Sequence, residues 1–442
     1  MKPNIIFLVI DSMRADKFYG DSKSSKTPNI DSLINKGIFF NNAISSSDVS
    51  GICLGNIFTG MYSFKTGITL RQYNQKIPTF FDALKQHGYN LYSINPDLTW
   101  FHKLTKNFDE KDVFYAANLV QDDLTDKVGN LILDRLDSMK KPWFYYIHLE
   151  DLHDKIIVPK NFDNNRYGDT SYERMVSVID IWIGKILEKI DLDNTLLIIT
   201  ADHGEFIRSV DGVGEIPNVQ AVMKKGKELF PILEPIGLKI FIKIRDLVKF
   251  FQMRKLKKVL TNEQIRTLTP KGHKILYDDY IHVPLLFVGY GIKSNKIIDN
   301  LVTGVDIFPT IFQICNLDYK TKHLDGRNLF PLFNNAKVPE VPIFIVSGDA
   351  AEIKGSVAIG IRTSKYKYLR NRNDSTKDVV LFDLEKDPFE YDNISNLHPD
   401  IVKDMENTLS LMTKQSLKDE QEKLTEQETK KIESELRKLG YI

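Results

Sequence analysis

Only two cysteines, Cys53 and Cys315, occur in the 442 residues of this chain. Two thiols cannot build a disulfide framework, and such scarcity fits a reducing compartment better than a secreted one, so a cytoplasmic location is expected. Long apolar runs are missing as well. The first, Ile5 to Ile10, is too short for a membrane span and short for a signal-peptide core, and no small-residue cleavage site follows it. A buried parallel strand is the better reading. An excess of one charge is also lacking: 60 basic residues stand against 59 acidic ones, which leaves no overall field to draw nucleic acid. Glycine loops of the forms GxxxxGKS/T and GxGxxG do not occur, which removes the common nucleotide-binding classes.

What is present is an ordinary globular composition, 42% hydrophobic and 27% charged, on a chain long enough for one large domain and a smaller one. The runs IIFLVI (5–10), PWFYYIHL (142–149), NTLLIITAD (194–202) and VPLLFVG (283–289) read as strands. Between them, PTFFDALKQHG (78–88) and YERMVSVIDIWIGKILEKI (172–190) read as amphipathic helices. Continuous apolar strands separated by helices predict an α/β fold, a large, mostly parallel sheet sandwiched by helices. Beyond about residue 340 the texture changes to short strands and turns, then a helix from about Pro399. The expected organisation is a main domain over 1–340 and a small C-terminal subdomain over 341–442, an antiparallel sheet plus helix with a charged terminal helix. Residues 208–268 interrupt the alternation as an insertion. Within them GLKIFIKIRDLVKFFQMRKLKKVL (237–260) has the pattern of a basic amphipathic helix. Such a helix packs its apolar face on the domain, closes over an anionic substrate, or makes peripheral contact with an anionic membrane.

Several polar groups stand where strands should end. Asp11 closes the first apolar run, and a carboxylate there needs a helix to cap, a partner or a metal. Asp202 and His203 close another, which is half of a metal site or a helix cap beside a structural histidine. HLEDLHD places His148, Asp151 and His153 after a third strand, and His273 and Lys274 precede a fourth. Ligands gather at the carboxyl ends of parallel strands, so Asp11, the 148–153 segment and Asp202-His203 are expected on one rim. A cation with hydrogen-bonding side chains around it suits a tetrahedral oxyanion such as phosphate or sulfate. The stretch SSSDVSGICLGNIFTG (45–60) offers serines and Cys53 as nucleophiles, or is only a polar loop that caps a helix.

Taken in order, NIIFLVIDSMRADKFYG, TPNIDSLINKGIFFNNAIS, TADHGE, LYDDYIHVPLLFVG, VDIFPTIFQICNL and LDGRNLFPLF resemble landmarks of the sulfatase family, in the alkaline-phosphatase-like group of metallohydrolases. IRTSKYKYLRN and VLFDLEKDPFEYDNI resemble its small C-terminal domain. The resemblance covers nearly the whole chain and implies the alkaline-phosphatase-like fold. The family's nucleophile lies nine residues before a Thr-Gly pair, here Thr59-Gly60, which implies Ser50 and leaves Cys53 as a packing residue. The same matching implies Asp11, Asp202 and His203 as metal ligands, with the Ser50 oxygen completing the set. It implies His153 as the histidine that contacts the transferred group. His273 falls near the same oxygens, with Lys274 in its place if the register shifts by one. One divalent cation is implied, Mn²⁺, Ca²⁺, Mg²⁺ or Zn²⁺.

Two departures shape the expected chemistry. The x-Pro-x-Arg signature that directs oxidation to formylglycine is absent from Ser50-Gly51-Ile52-Cys53-Leu54, and Ser12 stands where many sulfatases have a second acidic residue. A serine sulfate must be attacked again at sulfur, whereas plain serine nucleophiles in this superfamily go with phosphoryl transfer. The expectation is therefore a metal-dependent hydrolase of a small-molecule or glycan sulfate or phosphate ester, phosphate favoured. The alternatives are a transferase that moves a phosphoryl group onto a glycan or lipid, and a non-catalytic member of the family.

Overall fold

The computed structural model describes residues 2–69, 72–73, 77–114, 124–153, 156–207, 276–319, 323–348, 357–414 and 434. The expected features on 208–268, with the basic helix at 237–260, lie outside the described residues. So do His273, Lys274 and the charged tail beyond Lys414 except Ser434. Two compact units are present, Met1–Glu205 with Lys271–Ile442, and Phe206–Pro270. Both sheets belong to the first. Among the described residues no helix is long and apolar enough to cross a membrane.

The main sheet is built from β1 (Asn4–Ile10), β2 (Ile38–Ile44), β3 (Asn90–Pro96), β4 (Glu110–Phe114), β5 (Trp143–Leu149), β6 (Thr195–Thr200), β7 (His282–Gly289), β8 (Lys296–Ile298) and β9 (Val302–Thr303). Its order is β4-β3-β5-β1-β6-β7-β2-β8, with β9 beside β2. β7 runs antiparallel to both of its neighbours, and every other pairing is parallel. β1, β5 and β6 are buried along their whole length, which is why their sequences are apolar without alternation. They lie side by side with β1 in the middle. Val9 pairs with His148 on one side and Thr200 on the other, so the three strands end level.

The helix α1 (Ser50–Thr59) follows β2 and is buried on every residue. Its Phe58 ring meets Phe7 of β1 at 5.7 Å and Tyr146 of β5 at 5.3 Å. Burying an aromatic ring of this kind contributes about 1.5–3 kcal/mol, enough to fix the helix against the sheet. Gly60 ends it in the left-handed region at φ 66°, with its N–H donating to Asn56 O. A Cβ there would also lie 2.9 Å from Leu324, so glycine is the residue that fits.

A second sheet follows in sequence order, β10 (Ile343–Val346), β11 (Ala358–Arg362), β12 (Tyr366–Asn371) and β13 (Val380–Asp383), all antiparallel. The helix α2 (Pro399–Thr413) contacts β11 and β12, and its Glu406 accepts from Tyr368 and Arg370. Several bonds tie this sheet to the segments around the main one. Val346 N–H donates to Ser46 O, and Gly348 N–H donates to the Asp48 carboxylate, which holds the loop ahead of α1. Lys367, fully buried, pairs with Asp278 and Glu390, each at 2.5 Å, and donates to Leu276 O.

Candidate active site at the carboxyl ends of three strands

Asp11 is the residue after β1, and its N–H continues the ladder by donating to Leu149 O of β5. Ser12 then turns the chain with φ of 63°, a conformation costly for a residue with a Cβ. The Tyr172 hydroxyl donates to Ser12 O and accepts from Arg14 N–H, which holds that turn. Ser12 Oγ donates to Asp11 Oδ1 at 3.0 Å. Across β6, Asp202 Oδ1 accepts the His203 N–H at 2.9 Å. Ser45 Oγ donates to Asp202 O, and Ser45 N–H to Ile281 O, so the loop after β2 is laid across the ends of β7 and β6. That path delivers Ser50 to Asp11. Ser50 opens α1, where the unbonded N–H groups of the first turn favour negative charge.

The distances define a compact buried cluster. Ser50 Oγ is 3.4 Å from Asp11 Oδ2 and 3.3 Å from His203 Nε2. His203 Nε2 is 3.7 Å from Asp11 Oδ1 and 3.9 Å from Asp202 Oδ2. The Asp202 Oδ2 atom is buried without a hydrogen-bond partner. His203 Nδ1 faces Gly204 O at 2.9 Å. A carbonyl only accepts, so Nδ1 carries the hydrogen, and in the neutral ring the Nε2 lone pair points at two carboxylate oxygens. Lone pairs gathered in this way, out of water, require a positive charge among them. Separations of 3.3–3.9 Å exceed good hydrogen bonds. The three among Asp11, Ser50 and His203 lie within the roughly 3.3–3.8 Å expected between neighbouring ligands at about 2.0–2.3 Å from a shared cation, and the Asp202–His203 separation of 3.9 Å lies just beyond it. The donor set of carboxylates, one imidazole and one hydroxyl thus fits a divalent cation.

His153 joins the cluster: Asp11, His153 and His203 each offer a ligand atom, and these lie within 4.8 Å of one another. Its ring stands 6.1 Å from that of His203. Burial pushes the Asp11 carboxyl up, but His153, the His148 hydrogen bond, and His203 and His148, when all three histidines are protonated, outweigh it and hold Asp11 well below the usual range. Glu150 goes the other way, raised well above its ordinary value by burial and by the charges of Asp11, Asp202 and Asp151. Burial, then Asp202, also raises the Cys53 thiol. Cys53 is 1% exposed one turn into α1, as a packing residue should be.

Of the residues expected at the site, the structure brings together Asp11, Ser50, His153, Asp202 and His203. His273 and Lys274 lie outside the described residues. Two neighbours had no role assigned from sequence, His148 and Glu150, which with Asp11 form a second buried group of potential ligand atoms within 4.8 Å. The signal was available for His148: a histidine two residues after a tyrosine inside an otherwise apolar strand shares one face with it.

Residues 3–317 match the sulfatase family, and residues 272–416 match the family described as N-sulphoglucosamine sulphohydrolase, C-terminal. Among curated proteins, arylsulfatase K of Canis lupus familiaris is 23% identical across 92% of this chain and 82% of its own length. Arylsulfatase K of Homo sapiens is 22% identical across 92% and 81%. Among solved structures, a phosphonate monoester hydrolase of Agrobacterium radiobacter superposes with a TM-score of 0.68 at 16% identity, covering 96% of this chain and 99% of that one. A structure described as BT4656 in complex with its substrate D-glucosamine-2-N,6-O-disulfate superposes at 0.65 and 17%, covering 94% and 98%. These likenesses give the fold, alkaline-phosphatase-like, and the family match extends over most of the chain: it belongs to the sulfatase family of hydrolases.

Proposed function

We propose that this chain hydrolyses a phosphate monoester or diester, with Ser50 as the nucleophile and one divalent cation held by Asp11, Asp202, His203 and the Ser50 oxygen. The observation that carries it is the position of Ser50 Oγ, 3.3–3.4 Å from His203 Nε2 and Asp11 Oδ2 at the first residue of a buried helix. When bound, the cation supplies charge that lowers the pKa of a coordinated hydroxyl and polarises an ester oxygen. Ser50 loses its proton to solvent, because the acceptors around it are the atoms that would hold the ion. Its oxygen forms a bond to phosphorus in line with the departing ester oxygen, whose bond breaks. The first-turn amides of α1 lie close to the charge that develops. His153 is the group beside the cluster suited to give the leaving oxygen its proton. Water then attacks phosphorus, the Oγ–P bond breaks, and Ser50 regains a hydrogen.

A phosphate ester is preferred because an unmodified serine leaves only attack at the central atom for release of the intermediate, and Pro and Arg are missing after Ser50. A sulfate ester is the second reading. It is favoured by the arylsulfatase K relatives, which align over 92% of this chain. Incubating the protein with Mn²⁺ and aryl phosphate, phosphonate or sulfate esters decides between them. The peptide mass of residue 50 after trapping shows serine, formylglycine or a phosphoryl adduct. Ser50→Ala should lower kcat by about 10⁴- to 10⁶-fold. Wild-type turnover by that variant would end the nucleophile assignment.

A further inference from the structure

We propose that Tyr146 and His148 form a buried hydrogen-bonded relay that positions Asp11 for the cation; this rests on the cation reading above. Tyr146 and His148 are both fully buried and point to the same face of β5. His148 pairs with Val9 of β1, so its side chain leans along the strand toward Asp11, two residues further on the same face. The Tyr146 hydroxyl is 2.8 Å from His148 Nδ1, and His148 Nε2 is 3.3 Å from Asp11 Oδ2. A carboxylate only accepts, so Nε2–H donates to Asp11 and, in the neutral ring, the bare Nδ1 takes the Tyr146 hydroxyl hydrogen. Asp11 therefore selects the tautomer, and Tyr146 supports it by supplying the hydrogen that the bare Nδ1 accepts. The opposite tautomer would aim a lone pair at the carboxylate.

The consequence falls on Asp11. Oδ1 accepts from Ser12 Oγ at 3.0 Å and Oδ2 faces His148 Nε2 in a longer contact of 3.3 Å, so both oxygens are restrained against rotation. Each keeps a second lone pair for the site: Oδ1 faces His203 Nε2 at 3.7 Å and Oδ2 faces Ser50 Oγ at 3.4 Å. The rings have no freedom either. Phe101 packs on His148 at 4.8 Å between centroids, and Phe58 packs edge-on against Tyr146 at 5.3 Å. No water competes for these bonds, since both side chains are 0% exposed. Groups behind a metal ligand that fix its orientation typically contribute 10- to 100-fold in metal affinity.

The test titrates Mn²⁺ alone into the full chain by calorimetry, for wild type and for Tyr146→Phe, His148→Gln and His148→Leu, with melting curves in EDTA as the fold control. His148→Leu should bind Mn²⁺ about 10- to 100-fold more weakly, and its kcat should recover at saturating Mn²⁺. His148→Gln, whose amide N–H can still reach Asp11, should restore most of the affinity. Tyr146→Phe should lose several-fold. Wild-type affinity in Tyr146→Phe and His148→Leu would overturn the relay. So would a second equivalent of Mn²⁺ in the wild type that His148→Leu loses, because His148 would then be a ligand beside Glu150. If His148→Leu does not fold, the near-isosteric Tyr146→Phe carries the comparison. Should Ser50→Ala remain active while affinity follows His148, the relay stands and the nucleophile assignment falls.

Discussion

Replacing Asp202 by asparagine separates a metal ligand from a structural hydrogen-bond acceptor, because only the ligand role makes the effect depend on the cation. Asp202 is 0% exposed. Its Oδ1 accepts from His203 N–H at 2.9 Å, while Oδ2 has no hydrogen-bond partner and lies 3.9 Å from His203 Nε2. Asparagine keeps the first oxygen and its bond, and replaces only the orphaned one. In EDTA that oxygen is an uncompensated buried charge, and removing it should raise stability by about 1–3 kcal/mol. With Mn²⁺ at about 100 times its dissociation constant, the bound ion stabilises the wild type by about 2.7 kcal/mol. A ligand loss that weakens binding about 100-fold leaves the variant only about 0.4 kcal/mol of that. The Mn²⁺-dependent increment should therefore shrink by about 2.3 kcal/mol. An unfolding entropy of about 2.1 cal/mol/K per residue makes that about 2–3 °C in Tm for a chain of this length. Calorimetric melting of both proteins with EDTA and with Mn²⁺ reads it directly. A variant whose Tm differs from the wild type by the same interval in both buffers would show that Asp202 acts independently of the cation and sink the ligand assignment.

Gly204→Ala should disturb the site without removing any of its groups. A Cβ there would sit 2.2 Å from Asp279 O, so the backbone beside His203 must move; kcat should fall at least about 10-fold, and unchanged kcat and Mn²⁺ affinity would refute the close-packing argument. Lys367→Met leaves Glu390 buried without its cation, while Asp278 keeps Arg362, and should cost about 3–5 kcal/mol in denaturant unfolding, partly recovered by adding Glu390→Gln. Glu390 also gives the fold a pH dependence. Burial, with the Asp278 charge against the pull of Lys367, pushes its carboxyl up from 4.5 to about 7. The folded state keeps a proton that the unfolded chain releases, so this group's contribution makes stability fall as pH rises through that window. Glu390→Gln should flatten the slope between about pH 5 and 7, and an equally steep slope in that variant would assign it to another group.

The strands that carry the site were legible because they are buried on both faces. Continuous apolar runs gave β1, β5, β6 and β7 within one or two residues of their observed ends. The polar residues that follow β1 and β6 are the ones that meet. Other strands hide their character. β2 reads IFFNNAI, where Asn41 and Asn42 interrupt the run, and its pairing with β7 shifts register between Phe40 and Ala43. β3 buries Ser93 and Asn95 completely, against the usual sorting of polar side chains. Ser50 was reachable only through its spacing from Thr59-Gly60, since no local pattern distinguishes it from Ser45, Ser46 or Ser47, which are also buried. His148 was legible as a polar group near the rim but not in its role, because its partners lie on its own strand and on a neighbour 137 positions away.

What made Ser50 unreadable locally also explains why the small sheet matters. The loop that leads to Ser50 is held by α1, where Asn56 donates to Ser46 Oγ and Cys53 Sγ to Ser47 O, and by residues far away in the chain. Ser45 is tied to Asp202 O and Ile281 O, Ser46 O accepts from Val346 of β10, and Asp48 accepts from Gly348 just after it. A Cβ on Gly348 would lie 2.3 Å from Val49, so the two segments are in direct contact ahead of α1. Asp278, at the entrance to β7, is bound by Lys367 of β12 and Arg362 of β11. The C-terminal sheet thus shares with the main domain the bonds that place Ser50 over the strand ends, while the central strands supply the atoms that face it. Neither part alone makes the cluster. A serine in a polar loop becomes chemically distinctive only when strands from both ends of the chain fix where its oxygen points.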